Sequence, residues 1–265
     1  MDRDFIFGYW HTDINEQVEQ ETYDVDFLLK HLRSCTGEST HNILQAGCGF
    51  GRIAVPLAEA GHKVVGFDVD EFALLRFYRR MFGLSNIECF KADALKPGWG
   101  TGYDVVVVGG NLLNNIETED DYAEAQKAMI ANAADALRVG GHLWLDFDLH
   151  FAPHKVFNRL GETSYFGGRD SLGTHGRTVS YGSVYNPITQ ICAGANHVEL
   201  TTNNGEILIK AKTWHKHIPT QGQVYDWIKA AGLTVERAYK NFMDEPLPDP
   251  IGEDNFRASI WARKE

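Results

Sequence analysis

The sequence predicts an α/β fold, a doubly wound and mostly parallel seven-stranded sheet with an antiparallel β insertion after the fifth strand. Short apolar runs alternate with helical stretches up to about residue 147, which favours right-handed crossovers and a parallel sheet covered on both faces. Segments rich in Thr, Val, Ile and Tyr then follow, as is typical of antiparallel strands. A last helix and two further apolar segments indicate that the chain returns to the first sheet.

The parallel part is predicted from apolar segments that are each followed by a segment of helical spacing. A lead-in amphipathic helix is expected over 15–33. The predicted strands cover 42–46, 63–67, 87–90, 103–108 and 142–147, and the helices between them cover 52–59, 71–82 and 121–139.

The insertion is predicted over 148–217. Its candidate strands are 178–185, 188–200 and 206–214, and Asn203-Asn204-Gly205 between the last two is a typical hairpin turn. A helix over 220–231 and strands over 233–239 and 259–262 complete the sheet. The domain prediction is therefore an N-terminal segment with the lead-in helix (1–40), a ligand-binding domain (41–147 and 218–265) and the insertion (148–217).

Composition and charge limit the classes of function. The chain has 265 residues, of which 43% are hydrophobic and 23% charged, values typical of a globular protein. Its net charge of −11 disfavours nucleic acid and anionic membranes as partners. The four cysteines form no CxxC pair, and no signal peptide or membrane span is evident. We therefore expect a cytoplasmic protein with reduced thiols and a small-molecule partner; the oligomeric state is not predicted.

The strongest local signal is the run Ile43-Leu44-Gln45-Ala46-Gly47-Cys48-Gly49-Phe50-Gly51-Arg52, a buried strand that enters a glycine-rich turn and then a helix. Glycines at alternate positions let the backbone turn sharply and let a ligand approach main-chain N–H groups. Asp68 ends the next strand, where a carboxylate can accept hydrogen bonds from both hydroxyls of a ribose. The two features together predict a nucleoside pocket.

The glycine spacing, Asp68 and the later Lys91-Ala92-Asp93-Ala94 resemble the class I S-adenosylmethionine-dependent methyltransferases, which have a Rossmann-like sheet. Arg52 stands where the dinucleotide-binding fingerprint requires a small residue. Gln45 departs from the family, most members of which have an acidic residue there. The resemblance implies S-adenosylmethionine as cofactor, with a cofactor site formed by Gly47, Gly49, Gly51, Asp68, Val69, Asp93, Ala94 and Gly110.

The segment after the fourth strand, Gly109-Gly110-Asn111-Leu112-Leu113-Asn114-Asn115, is similar to that of the glycine and sugar-amine N-methyltransferases. That similarity implies acceptor contacts from Asn111 and Asn115, an N-terminal lid within 1–40, and an acceptor lid formed by the insertion 148–217. Helix capping and loop hydrogen bonds explain these asparagines equally well. The aromatic N-terminus adds Tyr9 and Trp10 as candidate acceptor contacts, because aromatic faces attract sulfonium and ammonium groups; simple anchoring of the terminus is the alternative.

Methyl transfer from a sulfonium is an in-line displacement, so positioning and desolvation are expected to supply most of the catalysis. His215 and His217 are the candidate catalytic bases, since strand alternation places both imidazoles on one face. The other histidines lack metal-ligand spacing, and no metal site is expected.

The sequence therefore predicts a methyltransferase that acts on a small molecule, at an amine nitrogen. Methylation at oxygen is the near alternative. A nicotinamide-dependent oxidoreductase and a non-catalytic cofactor-binding module are the alternatives of other classes.

Overall fold

The computed structural model describes residues 2–19, 21–36 and 40–265. The chain divides into two compact units. The first, here called the α/β unit, comprises Thr22–Phe151 and Ile218–Glu265. The second, the β unit, comprises Met1–Glu21 and Ala152–His217.

The helices and strands have the following bounds. The helices are α1 (Arg3–Val18), α2 (Tyr23–Thr36), α3 (Ala54–Glu59), α4 (Glu71–Arg80), α5 (Tyr122–Ala136), α6 (Pro153–Phe157) and α7 (Gln221–Ala230). The strands are β1 (Asn42–Ala46), β2 (Lys63–Asp68), β3 (Ile87–Lys91), β4 (Tyr103–Val108), β5 (Leu137–Asp148), β6 (Arg159–Arg169), β7 (His175–Asn186), β8 (Ile191–Thr201), β9 (Ile207–His217), β10 (Leu233–Lys240) and β11 (Arg257–Lys264).

In the part of the chain that the structure describes, the α/β unit is built on a seven-stranded sheet with the order β10-β11-β5-β4-β1-β2-β3. Strands β1 to β5 pair in parallel, whereas β11 is antiparallel to both β5 and β10. The last four residues of β4 are all buried valines, because a central parallel strand is covered on both faces. The predicted fold class is confirmed.

Several element boundaries differ from the prediction by a few residues, and two of the differences change the elements themselves. The lead-in segment is not one helix over 15–33 but two, since α1 ends at Val18 and α2 begins at Tyr23. Helix α5 ends at Ala136 instead of 139, and β5 starts at once with Leu137 paired to Tyr103. Strand pairing overrides the helical pattern here, and Gly140 adopts a positive φ of 75° within the strand.

The β unit contains a four-stranded antiparallel sheet in the order β6-β7-β8-β9. The turn at Asn203-Asn204-Gly205 joins β8 to β9 as predicted, and the Gly205 N–H donates to the Thr202 carbonyl at 3.0 Å. Strand β6 was not predicted, because its glycines and two irregularities in its pairing with β7 interrupt the alternating pattern. Helix α1 packs on this sheet through a cluster made of Phe7, Trp10, Ile14, Leu200 and Leu208.

The predicted acceptor-lid role of 148–217 stays a prediction. Cys48, Cys89 and Cys192 are buried free thiols, and the Cys35 side chain lies outside the described residues. Among the helices described, none has both the length and the apolar character needed to cross a membrane.

Candidate functional site

The glycine turn after β1 has the backbone geometry that its sequence demands. Gly47, Gly49 and Gly51 have φ values of 60°, 53° and 83°, a region that other residues rarely adopt. A Cβ at Gly51 would lie 2.7 Å from the Phe77 ring, and one at Gly47 would lie 2.8 Å from Leu112. A Cβ at Gly49 would have no described atom within 4 Å beyond its chain neighbours. The turn is therefore packed at its two ends and open at its middle glycine.

Asp68 links the end of β2 to this turn. Its Oδ2 accepts the Gly49 N–H and its Oδ1 accepts the Asp70 N–H, both at 2.8 Å. Burial raises the pKa of the Asp68 carboxyl, while the N–H groups of Asp70 and Gly49 oppose the shift. A carboxylate offers about four acceptor positions, so both oxygens keep capacity for a ligand's hydroxyl groups.

Gln45 and Arg52 flank the glycine turn on either side in sequence. Gln45 is 2% exposed, and within the described part of the chain no donor reaches its Oε1. A buried acceptor of this kind is expected to have a partner, so Oε1 is available to a bound group. Arg52 donates from both terminal nitrogens to Asp24, at 2.7 Å each, which ties the start of α2 to the turn.

A second turn follows β4 and contains Gly110 and Asn111, with φ values of 64° and 63°. Their N–H groups donate to Oδ2 and Oδ1 of Asp146, at 3.1 and 3.2 Å. The Asn111 side chain donates to Asp148 Oδ2 at 2.6 Å and accepts the Asp148 N–H at 2.8 Å. The end of β5 therefore holds both the backbone and the side chain of this turn.

Sequence reasoning missed Arg257, which pairs with both carboxylates. Its Nη2 contacts Asp146 and its Nη1 lies 2.8 Å from Asp148. Burial alone would lower the pKa of Arg257, but the two carboxylates raise it, and burial raises the pKa of Asp146. An arginine at the start of a late apolar strand gives no sequence signal, because its partners lie 109 and 111 residues earlier.

The remaining predicted cofactor residues follow neighbouring strands of the same sheet. Val69 is 65% exposed directly after β2. Asp93, after β3, is exposed, and its Oδ1 accepts the Leu95 N–H at 2.8 Å; Ala94 is half-buried. Asn115 is exposed after the short 3-10 helix Leu112–Asn114. Because β1 to β4 are parallel, their carboxyl ends gather these residues at one edge of the sheet.

Four predicted residues belong to the β unit. Tyr9 is half-buried, and its hydroxyl lies 2.8 Å from Ser171 Oγ. Trp10 is fully buried and donates its indole N–H to the Gly168 carbonyl at 3.2 Å, so packing explains its position. His215 is exposed, whereas His217 is buried with Nε2 at 3.3 Å from Gln190 Oε1. Their contact with an acceptor, and any catalytic role, stay predictions.

Comparison with known proteins adds independent findings. Residues 43–141 match the family model of a methyltransferase domain. The putative methyltransferase YqeM of Bacillus subtilis (strain 168) is 26% identical over 211 residues, or 76% of this chain and 77% of that protein.

Solved structures resemble the fold over nearly the whole chain. A S-adenosylmethionine-dependent methyltransferase from Clostridium acetobutylicum has a TM-score of 0.72 at 12% identity and covers 98% of each chain. The sugar N-methyltransferase KedS8 from Streptoalloteichus has a TM-score of 0.69 at 14% identity, covering 100% of this chain and 94% of its own.

The residues present fit S-adenosylmethionine as the cofactor. The open side of Gly49 leaves room for a ligand against the backbone, and Asp68 has acceptor capacity for ribose hydroxyls. The buried Gln45 Oε1 lacks a described donor, as expected where a ligand supplies one. The family match and the strand order agree with these features. Residues 43–141 therefore form a methyltransferase domain, and the chain as a whole has the fold of class I S-adenosylmethionine-dependent methyltransferases, to which it is similar.

Proposed function

We propose that this enzyme methylates a small molecule at an amine nitrogen. The observation that carries the proposal is the turn at Gly110 and Asn111, whose two N–H groups and side chain are all held by Asp146 and Asp148. These hydrogen bonds fix the turn at the carboxyl end of β4, where Leu112 of the same segment lies next to Gly47 of the glycine turn. The fold likeness to KedS8, a sugar N-methyltransferase, and the Gly-Asn pattern support the choice of an amine.

The cofactor, when bound, supplies an electrophilic methyl group on a positively charged sulfonium. We infer that the glycine turn approaches its ribose and methionine portions and that Asp68 accepts the ribose hydroxyls. Val69 and Ala94 would contact the adenine by their apolar surface, and Asp93 would accept from its amino group. The residues assigned to the cofactor are Gly47, Gly49, Gly51, Asp68, Val69, Asp93, Ala94 and Gly110.

The reaction asks the protein chiefly for alignment. Displacement at a methyl carbon needs the acceptor lone pair in line with the carbon–sulfur bond, and it needs water excluded. An amine must arrive unprotonated, and desolvation beside a positive sulfonium lowers its pKa without a dedicated base. Asn111 is assigned to orient the acceptor, with Asn115 at the same turn.

His217 has a structural explanation in its contact with Gln190 and its burial. We therefore assign His217 a role in holding its strand in place, and no role in proton transfer.

The net charge of −11 makes a polyanionic acceptor unfavourable, which supports a small neutral or cationic molecule as the acceptor.

The test is incubation with methyl-labelled S-adenosylmethionine and a fractionated metabolite extract, followed by mass spectrometry of the labelled product. The proposal expects label on an amine nitrogen. Asp68→Ala should abolish labelling, while Asp135→Ala, a change at an exposed carboxylate on α5, should not. Label on a hydroxyl oxygen would establish an O-methyltransferase instead, and label on a macromolecule would refute a small-molecule acceptor.

A further inference from the structure

A strained segment lies between β10 and β11. Asn241 and Phe242 are consecutive non-glycine residues with positive φ, 51° and 55°. Such backbone is unfavourable and persists only where the surroundings impose it, most often near functional sites. Asn241 Oδ1 accepts the N–H groups of Phe256 and Arg257 at 3.1 and 3.0 Å, and the Asn241 N–H donates to the Arg257 carbonyl at 3.1 Å. The strained segment therefore holds the backbone of Arg257.

The same segment also contacts the Arg257 side chain. The Phe242 ring centre lies 5.4 Å from the guanidinium carbon, within the range of a cation–π contact. The Arg257 side chain is 15% exposed and that of Asp146 only 1% exposed. The guanidinium thus contacts an aromatic ring as well as Asp146 and Asp148.

Besides Arg257, both carboxylates also hydrogen-bond to the turn at Gly110 and Asn111. Asp146 accepts the N–H groups of Gly110 and Asn111, and Asp148 exchanges two hydrogen bonds with the Asn111 side chain. A buried ion pair is weak evidence for stability, because desolvation offsets much of the attraction. The contacts do supply direction, since the planar guanidinium donates from its two terminal nitrogens to two different carboxylates, a geometry that an ammonium does not fix.

We propose that Arg257 is a positioning residue for methyl transfer, which acts through Asp146 and Asp148 on the Gly110–Asn111 turn. Phe242 holds the guanidinium in place. This inference rests on the proposed role of that turn in the acceptor site.

The test compares Arg257→Lys, which keeps the charge but loses the planar fork, with Arg263→Lys, a matched change at an exposed arginine of the same strand. We expect Arg257→Lys to lower kcat about tenfold to a hundredfold, because small misplacements are costly in an aligned displacement. Affinity for S-adenosylhomocysteine, measured by calorimetry, should change less than threefold. Arg263→Lys should leave both quantities unchanged.

A double variant of Arg257 and Asn111 provides a second test, because it measures the energetic coupling between the two residues. Asn111→Gly keeps the left-handed turn and its N–H donated to Asp146 but removes the side chain that bonds to Asp148. Arg257→Lys should therefore lower kcat by a smaller factor in that background than in the parent. Multiplicative losses in the double variant, an unchanged kcat in Arg257→Lys, or a loss confined to cofactor affinity would each overturn the inference.

Amide hydrogen exchange gives a readout that needs no acceptor. With S-adenosylhomocysteine bound, Arg257→Lys should exchange at least fivefold faster at the amides of Gly110 and Asn111, while the amides of α3 remain as in the parent. Unchanged exchange at the turn would contradict the inference. If no amine is labelled, the proposed acceptor class fails while this arm still decides the role of Arg257.

Discussion

Two glycines of the turn after β1, Gly49 and Gly51, allow a sharp test of the cofactor site. Gly49 and Gly51 both have positive φ, yet their surroundings differ. A Cβ at Gly49 meets no described atom within 4 Å other than its chain neighbours, whereas a Cβ at Gly51 would lie 2.7 Å from the buried Phe77 ring. Gly49→Ala therefore tests whether a ligand fills the open space at Gly49, and Gly51→Ala tests the packing against Phe77.

The expected magnitudes follow from these surroundings. Gly49→Ala bears only the left-handed backbone, which costs about 1–2 kcal/mol of the free energy of unfolding. Gly51→Ala adds overpacking against Phe77, which costs about 1–3 kcal/mol more. If the cofactor lies against the open side of Gly49, the methyl group of alanine occupies space that the cofactor needs. We expect Gly49→Ala to weaken cofactor binding at least about a hundredfold, or about 2.7 kcal/mol.

Urea unfolding measures the stability of each variant, and calorimetry with S-adenosylhomocysteine measures affinity. Parent-like affinity in a folded Gly49→Ala variant would refute the placement of the cofactor. Equal stability of the two variants would refute the packing argument at Gly51.

Three further predictions concern carboxylate, imidazole and pH effects. Asp68→Ala should abolish cofactor binding in calorimetry, since each ribose hydroxyl left without its acceptor costs about 1–3 kcal/mol; parent-like affinity would contradict this. His217→Ala should lower turnover less than tenfold in steady-state kinetics, whereas a hundredfold loss would indicate proton transfer. Burial, then the nearby charges of His41 and Arg33, lower the pKa of His62 in the folded state. The unfolded state therefore binds a proton at His62 more tightly, so the free energy of unfolding is highest above about pH 6.5 and decreases as the pH falls below that value. His62→Gln should flatten the pH dependence of the urea midpoint between pH 5 and 7.5, and a parent-like slope would contradict this.

Much of the α/β unit could be predicted from short-range patterns. The run through Gly47, Gly49 and Gly51 and the acidic end of β2 both lie where the sequence placed them, because a strand, its turn and its helix are set by neighbouring residues. The hairpin at Asn203-Asn204-Gly205 is local in the same way. Strand β6 could not be predicted, since glycines and register shifts obscure its alternation.

The sequence by itself determined the fold class, the glycine turn and the position of Asp68, for these depend on spacing within a few residues. Only the tertiary structure decided that Arg257 joins Asp146 and Asp148, the carboxylates that bond to the Gly110–Asn111 turn. It also decided that Trp10 is buried and that His215 and His217 differ in exposure. These contacts join residues remote along the chain, and packing, which no local pattern encodes, selects each partner.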